Sequence, residues 1–150
     1  MWIGVGALTG PWRDVKIYNT AWSWFPAVLL FCVGILLYAR AGMHFSWAQL
    51  GGLPEMRRNR NDDRLMRDGI RSRVRHPIYL AHLCEMFAWS IGSGLLVCWL
   101  LTGFAIATGA VMIRMEDAEL EKRFGEEFKK YREDVPALLP RLAGRKILSE

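Results

Sequence analysis

Two long stretches of this chain carry no charge, and they constrain the fold more than any other feature. One runs from Ile17 to Ala39 and the other from Met86 to Ile113. About 20 consecutive apolar residues in a helix cross a bilayer core of roughly 30 Å, and each stretch is long enough. The alternative is a buried helix of a soluble domain, and two such runs in a chain of 150 residues weigh against it. Trp22, Trp24 and Phe25 mark the start of the first run and Tyr38 its end, as expected at a membrane–water boundary where an aromatic ring is half wetted. The expected class is an all-α integral membrane protein of one domain, with an N-terminal span over 17–39.

The second run is too long for one crossing. Its 28 residues make a helix of about 42 Å at roughly 1.5 Å per residue. Counted from Pro77, a residue tolerated at the first helical position, the apolar region reaches Ala118 and accommodates two crossings. Gly92-Ser93-Gly94 lies between the halves and permits a turn. A transmembrane helical hairpin is therefore expected, with arms 77–91 and 95–119.

Charge sets the expected orientation. Between the first span and the hairpin lies a connector, 40–76, with eight arginines from Arg57 to Arg75 against Glu55, Asp62, Asp63 and Asp68. Short Arg-rich loops stay in the cytoplasm. A hairpin returns the tail, 120–150, to the same side. A basic stretch also suits nucleic acid, but beside a membrane span the favoured partner is anionic lipid, and no nucleic-acid partner is expected. The tail carries Leu120, Phe124, Phe128, Tyr131 and Val135 at helical spacing, the stripe of a C-terminal amphipathic cytoplasmic helix. Pro136 and Pro140 end it. Cys32, Cys84 and Cys98 form no CxxC pair and imply neither a disulfide framework nor a metal site. Met1 to Leu8 lacks the basic start of a cleavable signal.

Several residues carry candidate chemistry. Arg75-His76-Pro77-Ile78-Tyr79 stands where the basic connector enters a helix, and helix-start N–H groups suit an anionic ligand group; interfacial anchoring explains the same residues equally well. Tyr79, His82, Glu85 and Trp89 form a polar-edged stripe, of the kind that faces a bundle interior. Glu116-Asp117 follows the apolar region directly and suits an amine, ribose hydroxyls or a cation.

In this order, these strings resemble the isoprenylcysteine carboxyl methyltransferase family and its phospholipid methyltransferase relatives. The matching positions are Leu65, Met66 and Gly69; then Arg75, His76, Pro77 and Tyr79; then Glu116-Asp117, Leu120, Phe124-Gly125, Tyr131 and Val135-Pro136. Arg71 stands where the family often has an aromatic residue, Phe128 where a Tyr is common and Ala81 where a Gly is common. The resemblance implies a membrane methyltransferase using S-adenosylmethionine without a Rossmann domain. Leu65, Met66, His76, Pro77, Tyr79 and Glu116 would line the cofactor pocket. A lipid-like acceptor, such as the carboxylate of a prenylated cysteine, would enter between helices. Arg114 is expected to steady an anionic acceptor group, and Glu85 or His82 to assist an amine acceptor. The short length suggests a bacterial inner membrane, with the active site facing the cytoplasm. Two other readings stay open: an NADPH-dependent membrane sterol or lipid reductase, and a non-catalytic membrane adaptor.

Overall fold

The computed structural model describes residues 14–42, 65 and 67–140. Met66, assigned above to the cofactor pocket, and residues 43–64 of the connector lie outside them. Four α-helices follow one another among the described residues: α1 (Trp24–Gly42), α2 (Pro77–Ser93), α3 (Leu96–Phe124) and α4 (Glu126–Asp134). Short 3-10 turns at Ala21–Ser23 and Gly69–Ser72 precede α1 and α2.

The first helix starts later than the uncharged run that predicts it. Residues 17–20 are not helical, and polar groups of the segment from Val15 to Tyr18 serve another element. The Ile17 N–H donates to the Gly94 carbonyl at 2.8 Å, and the Leu96 N–H donates to the Val15 carbonyl at 2.9 Å. The Tyr18 hydroxyl donates to the Ile91 carbonyl at 2.7 Å. This segment thus ties down the turn between α2 and α3. Absence of charge marks apolar surroundings; it does not by itself mark a helix.

Pro77 opens α2 at its first turn, where the missing N–H leaves nothing unpaired. The helix runs to Ser93, two residues past the predicted arm, and Gly94 closes it at φ 63. That left-handed cap favours glycine, and a Cβ there would collide with the Tyr18 carbonyl. With 17 residues, α2 is about 26 Å long. α3 has 29 residues and is about 44 Å long, so its last turns carry the charges from Arg114 onward clear of the apolar section.

Each neighbouring pair of long helices is antiparallel. Along α1 and α2, Trp24 meets Trp89 edge-to-face at 6.2 Å, and Tyr38 meets His82 in the same way at 5.2 Å. Small residues line the seam between them: Ala27, Gly34 and Ala41 are buried on α1, and Ala81, Ala88 and Gly92 on α2. Helices in lipid gain nothing from hiding apolar surface from one another, so close backbone approach supplies the packing instead. On its other side α2 meets α3. The Ser90 and Thr102 hydroxyls hydrogen-bond each other at 2.9 Å, and both reach the Met86 carbonyl. Such an interhelical bond is worth roughly 0.6–2 kcal/mol in a membrane.

The outward surfaces are apolar. Two segments, Ala21–Gly42 and Leu96–Phe124, are long and apolar enough to cross a membrane, and only 11% of each apolar window is buried. A core helix of a soluble protein would be mostly buried. Leu29, Leu36, Phe104 and Val111 are instead more than half exposed. A belt of this size needs an apolar solvent, which a bilayer supplies.

The tail departs from expectation. The stripe from Leu120 to Val135 does not lie on one helix. α3 continues to Phe124, then Gly125 adopts φ 56 and ψ −127, a conformation open almost only to glycine, and α4 restarts in a new direction. Phe128, Tyr131 and Val135 then form a buried cluster against Leu65, Leu120 and Phe124. The apolar face of α4 is therefore covered by the chain itself.

Glycine sterics give a direct test of this packing. A Cβ at Gly92 would lie 2.8 Å from the Trp24 ring and 3.2 Å from Ala27, whereas one at Gly103 meets no described atom within 4 Å. Gly92→Ala is expected to destabilise the detergent-solubilised protein by about 1–3 kcal/mol. Gly103→Ala should be neutral or slightly stabilising. Thermal unfolding of the two variants checks the contrast.

Candidate functional site

The residues singled out at the start of α2 and near the end of α3 meet at the charged end of the bundle. Arg75 and His76 precede α2, and their N–H groups are taken by the segment after α4: Arg75 donates to the Pro136 carbonyl and His76 to the Ala137 carbonyl, each at 2.9 Å. The helix start and the tail are thus joined through backbone.

Side chains complete the junction. Asp117 uses both carboxylate oxygens. Oδ2 accepts from Arg75 Nη2 at 2.9 Å, and Oδ1 lies 2.9 Å from His76 Nε2. The second guanidinium nitrogen of Arg75 donates to the Arg132 carbonyl at 3.2 Å, near the end of α4, where carbonyls lack helical partners. The guanidinium also lies 5.9 Å above the Phe128 ring. The other ring nitrogen of His76, Nδ1, lies 3.4 Å from Glu116 Oε2. The side chains of Arg75, His76 and Asp117 are 8%, 4% and 14% exposed, while that of Glu116 is 50% exposed. The cluster therefore grades from a closed interior to one accessible carboxylate.

A second contact braces the approach. The Tyr131 hydroxyl donates to the Arg71 carbonyl at 2.7 Å, holding the 3-10 turn against α4. Burial pushes the Tyr131 phenol up, with Arg71 and Arg75 pulling the other way, so it stays a donor. Tyr79 stands one turn into α2, edge-on to His76 at 5.9 Å and beside Gly109 of α3.

Burial opposes charge on His76, but the hydrogen bonds and charges of Glu116 and Asp117 outweigh it, and its pKa is raised. The geometry agrees. Ionised carboxylates only accept, and an imidazole donates from both nitrogens only when protonated.

The structure brings His76, Pro77, Tyr79 and Glu116 to one place, with Leu65 behind them on the Phe128–Tyr131 cluster. The surfaces open to a ligand belong to Tyr79 and Glu116; His76 and Pro77 are enclosed. Glu85 and Arg114 are not part of this group. Glu85 sits along the α1 seam, its Cγ 3.1 Å from where a Cβ at Gly34 would be. It is nine residues along the chain from His76, or about 13 Å of helix. His82 and Trp89 share that seam and are exposed rather than interior. His82 bonds the Ile78 carbonyl. Arg114 is exposed and stands two residues from Glu116, so the two point to opposite flanks of α3.

Sequence reasoning gave Arg75 and Asp117 no role of their own. The signal was present in two adjacent pairs, Arg75-His76 and Glu116-Asp117. One acid of such a pair can turn inward while its neighbour turns out.

No family model matches the chain. The protein-S-isoprenylcysteine O-methyltransferase of Xenopus laevis is 34% identical to it over 88 residues, which take in 55% of this chain and 29% of that protein. The chain thus matches less than a third of the relative's length. No solved structure matches.

The raised pKa of His76 has a consequence for stability. A group whose folded pKa lies above its unfolded value stabilises the fold fully below the unfolded value, 6.5 for histidine, and loses that contribution as pH rises through the folded value. The thermal midpoint of the wild type is expected to fall as pH rises from 6.5 through that window. His76→Gln should flatten the slope, as read by melting curves in detergent at constant ionic strength.

Proposed function

We propose that this protein is an S-adenosylmethionine-dependent methyltransferase that acts on a lipid-like acceptor at the membrane surface. The observation that carries the reading is the convergence of Arg75-His76-Pro77-x-Tyr79 with Glu116-Asp117, about forty residues apart in sequence, at the polar end of an apolar helix bundle. The partial likeness to a protein-S-isoprenylcysteine O-methyltransferase supports the same chemistry. It favours a carboxylate acceptor on a prenylated thiol acid or a similar small lipid. The Arg-rich connector supports a cytoplasmic position for this end of the bundle.

The donor set fits the cofactor. Glu116, half exposed and braced by His76, offers carboxylate oxygens to an ammonium group or ribose hydroxyls. Its negative charge also favours a sulfonium nearby. Tyr79 gives an aromatic face beside Gly109, and a ring face attracts a cation. Leu65 and the buried Pro77 form the apolar backing, and Met66 belongs with them by the resemblance. When bound, the cofactor supplies an electrophilic methyl group on a good leaving group. The chain's work is then to hold, align and exclude water, and well-oriented reactants gain on the order of 7–11 kcal/mol from such placement.

The acceptor would arrive from the bilayer along the exposed apolar faces. Arg114, on the outer flank of α3, is the cation an anionic head group meets as it leaves the lipid. A carboxylate acceptor needs no general base, which agrees with the position of Glu85 on the α1 seam. For this reason Glu85 has no proton-transfer role in the reading.

Calorimetry on the full chain in detergent tests it. S-adenosylmethionine and its demethylated product are expected to bind in the micromolar range. Glu116→Ala should weaken binding at least about tenfold, or roughly 1.4 kcal/mol, while Glu85→Gln leaves it unchanged. Absence of binding to folded wild-type protein would sink the proposal.

A further inference from the structure

Asp117 does more than the packing of the tail requires. To hold Arg75 it needs one oxygen, and it spends the second on His76 Nε2 at 2.9 Å. Through that bond it fixes the plane of a ring whose side chain is only 4% exposed. The opposite nitrogen, Nδ1, faces Glu116 at 3.4 Å. Glu116 is the carboxylate of the group that solvent and ligands reach. A chain of contacts therefore runs from the enclosed carboxylate through the imidazole to the open one.

We infer that Asp117 is a positioning residue: it holds the His76 ring so that the far side of that ring fixes Glu116 in the orientation in which it meets the cofactor. This rests on the functional reading above and names the device behind its key contact. The charge pattern is consistent with it. Arg75 and protonated His76 balance Asp117 and Glu116. Arg71 from the 3-10 turn acts on Glu116 by charge, and Arg132 and Tyr131 of α4 act on Arg75. Tyr79 closes the remaining edge of the ring. With His76 neutral and its proton on Nε2, Nδ1 presents a lone pair to the Glu116 carboxylate, and the brace becomes a repulsion. The orientation of Glu116 is thereby tied to the charge of His76, and that charge to Asp117.

The experiment has two arms on the full chain in detergent. In the first, nitrogen NMR follows the titration of His76, one of three histidines, with His44→Gln and His82→Gln variants for assignment. Asp117→Asn is expected to lower the His76 midpoint by about one pH unit. In the second arm, calorimetry at neutral pH measures S-adenosylmethionine. Asp117→Asn should weaken it about tenfold, the equivalent of one weakened charge-assisted hydrogen bond, and Asp117→Glu should recover part of the loss. The wild-type affinity should also fall as pH rises through the His76 midpoint.

An unmoved midpoint in Asp117→Asn overturns the inference. A lowered midpoint with unchanged affinity overturns it too. If Asp117→Asn does not fold because Arg75 is left alone, the double variant Arg75→Gln/Asp117→Asn, which removes the guanidinium together with its carboxylate partner, is judged by the same criteria. Failure of the folded wild type to bind S-adenosylmethionine overturns the functional reading instead. The titration arm needs no ligand, so the two failures are told apart.

Discussion

A buried carboxylate between a guanidinium and an imidazole is costly to assemble, because each charge leaves water before it gains its partner. At the polar end of this bundle Asp117 meets both Arg75 and His76 at 2.9 Å, and most of what lies around it follows. Arg75 belongs to the connector, Asp117 to α3, and the Arg132 carbonyl that Arg75 also reaches to α4. One ion pair thus links three segments distant in sequence. The apolar cluster of Phe128, Tyr131 and Val135 shields the pair on one side and keeps water from competing for its hydrogen bonds. The two kinds of interaction depend on each other: the cluster needs the ion pair to orient α4, and the ion pair needs the cluster to stay dry.

The apolar section obeys a different solvent. There, α1, α2 and α3 meet through buried glycines and alanines, one pair of hydroxyls and edge-on aromatic pairs such as Trp24 with Trp89. Such an interface would be weak in water. In lipid it suffices, because the outer faces rich in Leu, Phe and Val have no better place to go. The shortness of α2 has a role here. At about 26 Å it ends where the residues before α1 can reach its last carbonyls, as the Tyr18 and Ser23 hydroxyls do. Polar backbone at that end is satisfied by chain rather than left in hydrocarbon.

Much of this was visible in the sequence, for reasons that can be named. Uncharged length and an opening proline located the long helices, since both act locally. Helix ends were less accurate. Residues 17–20 are uncharged like the start of α1, and their pairing with the turn at Gly94 keeps them out of the helix. The tail stripe was correctly composed and wrongly placed on one helix: side-chain spacing survives a break at Gly125, whose backbone angles no periodicity records. At the site, adjacency hid the division of labour. Neighbouring residues on a helix diverge by about 100°, so Glu116 and Asp117 cannot do the same work, nor can Arg114 share a flank with Glu116. Which one turns inward depends on where α2 lies.

The junction of Arg75 and His76 with the carbonyls of Pro136 and Ala137 also sets an order of assembly. During synthesis α2 and α3 can pair as soon as both have been made. The polar end stays unfinished until residues 136 and 137 have followed. Until then the start of α2 lacks its backbone partners, and Arg75 lacks the roof that keeps it dry. A chain halted at the end of α3 would hold the paired helices without the closed junction, which waits for about a dozen further residues of translation.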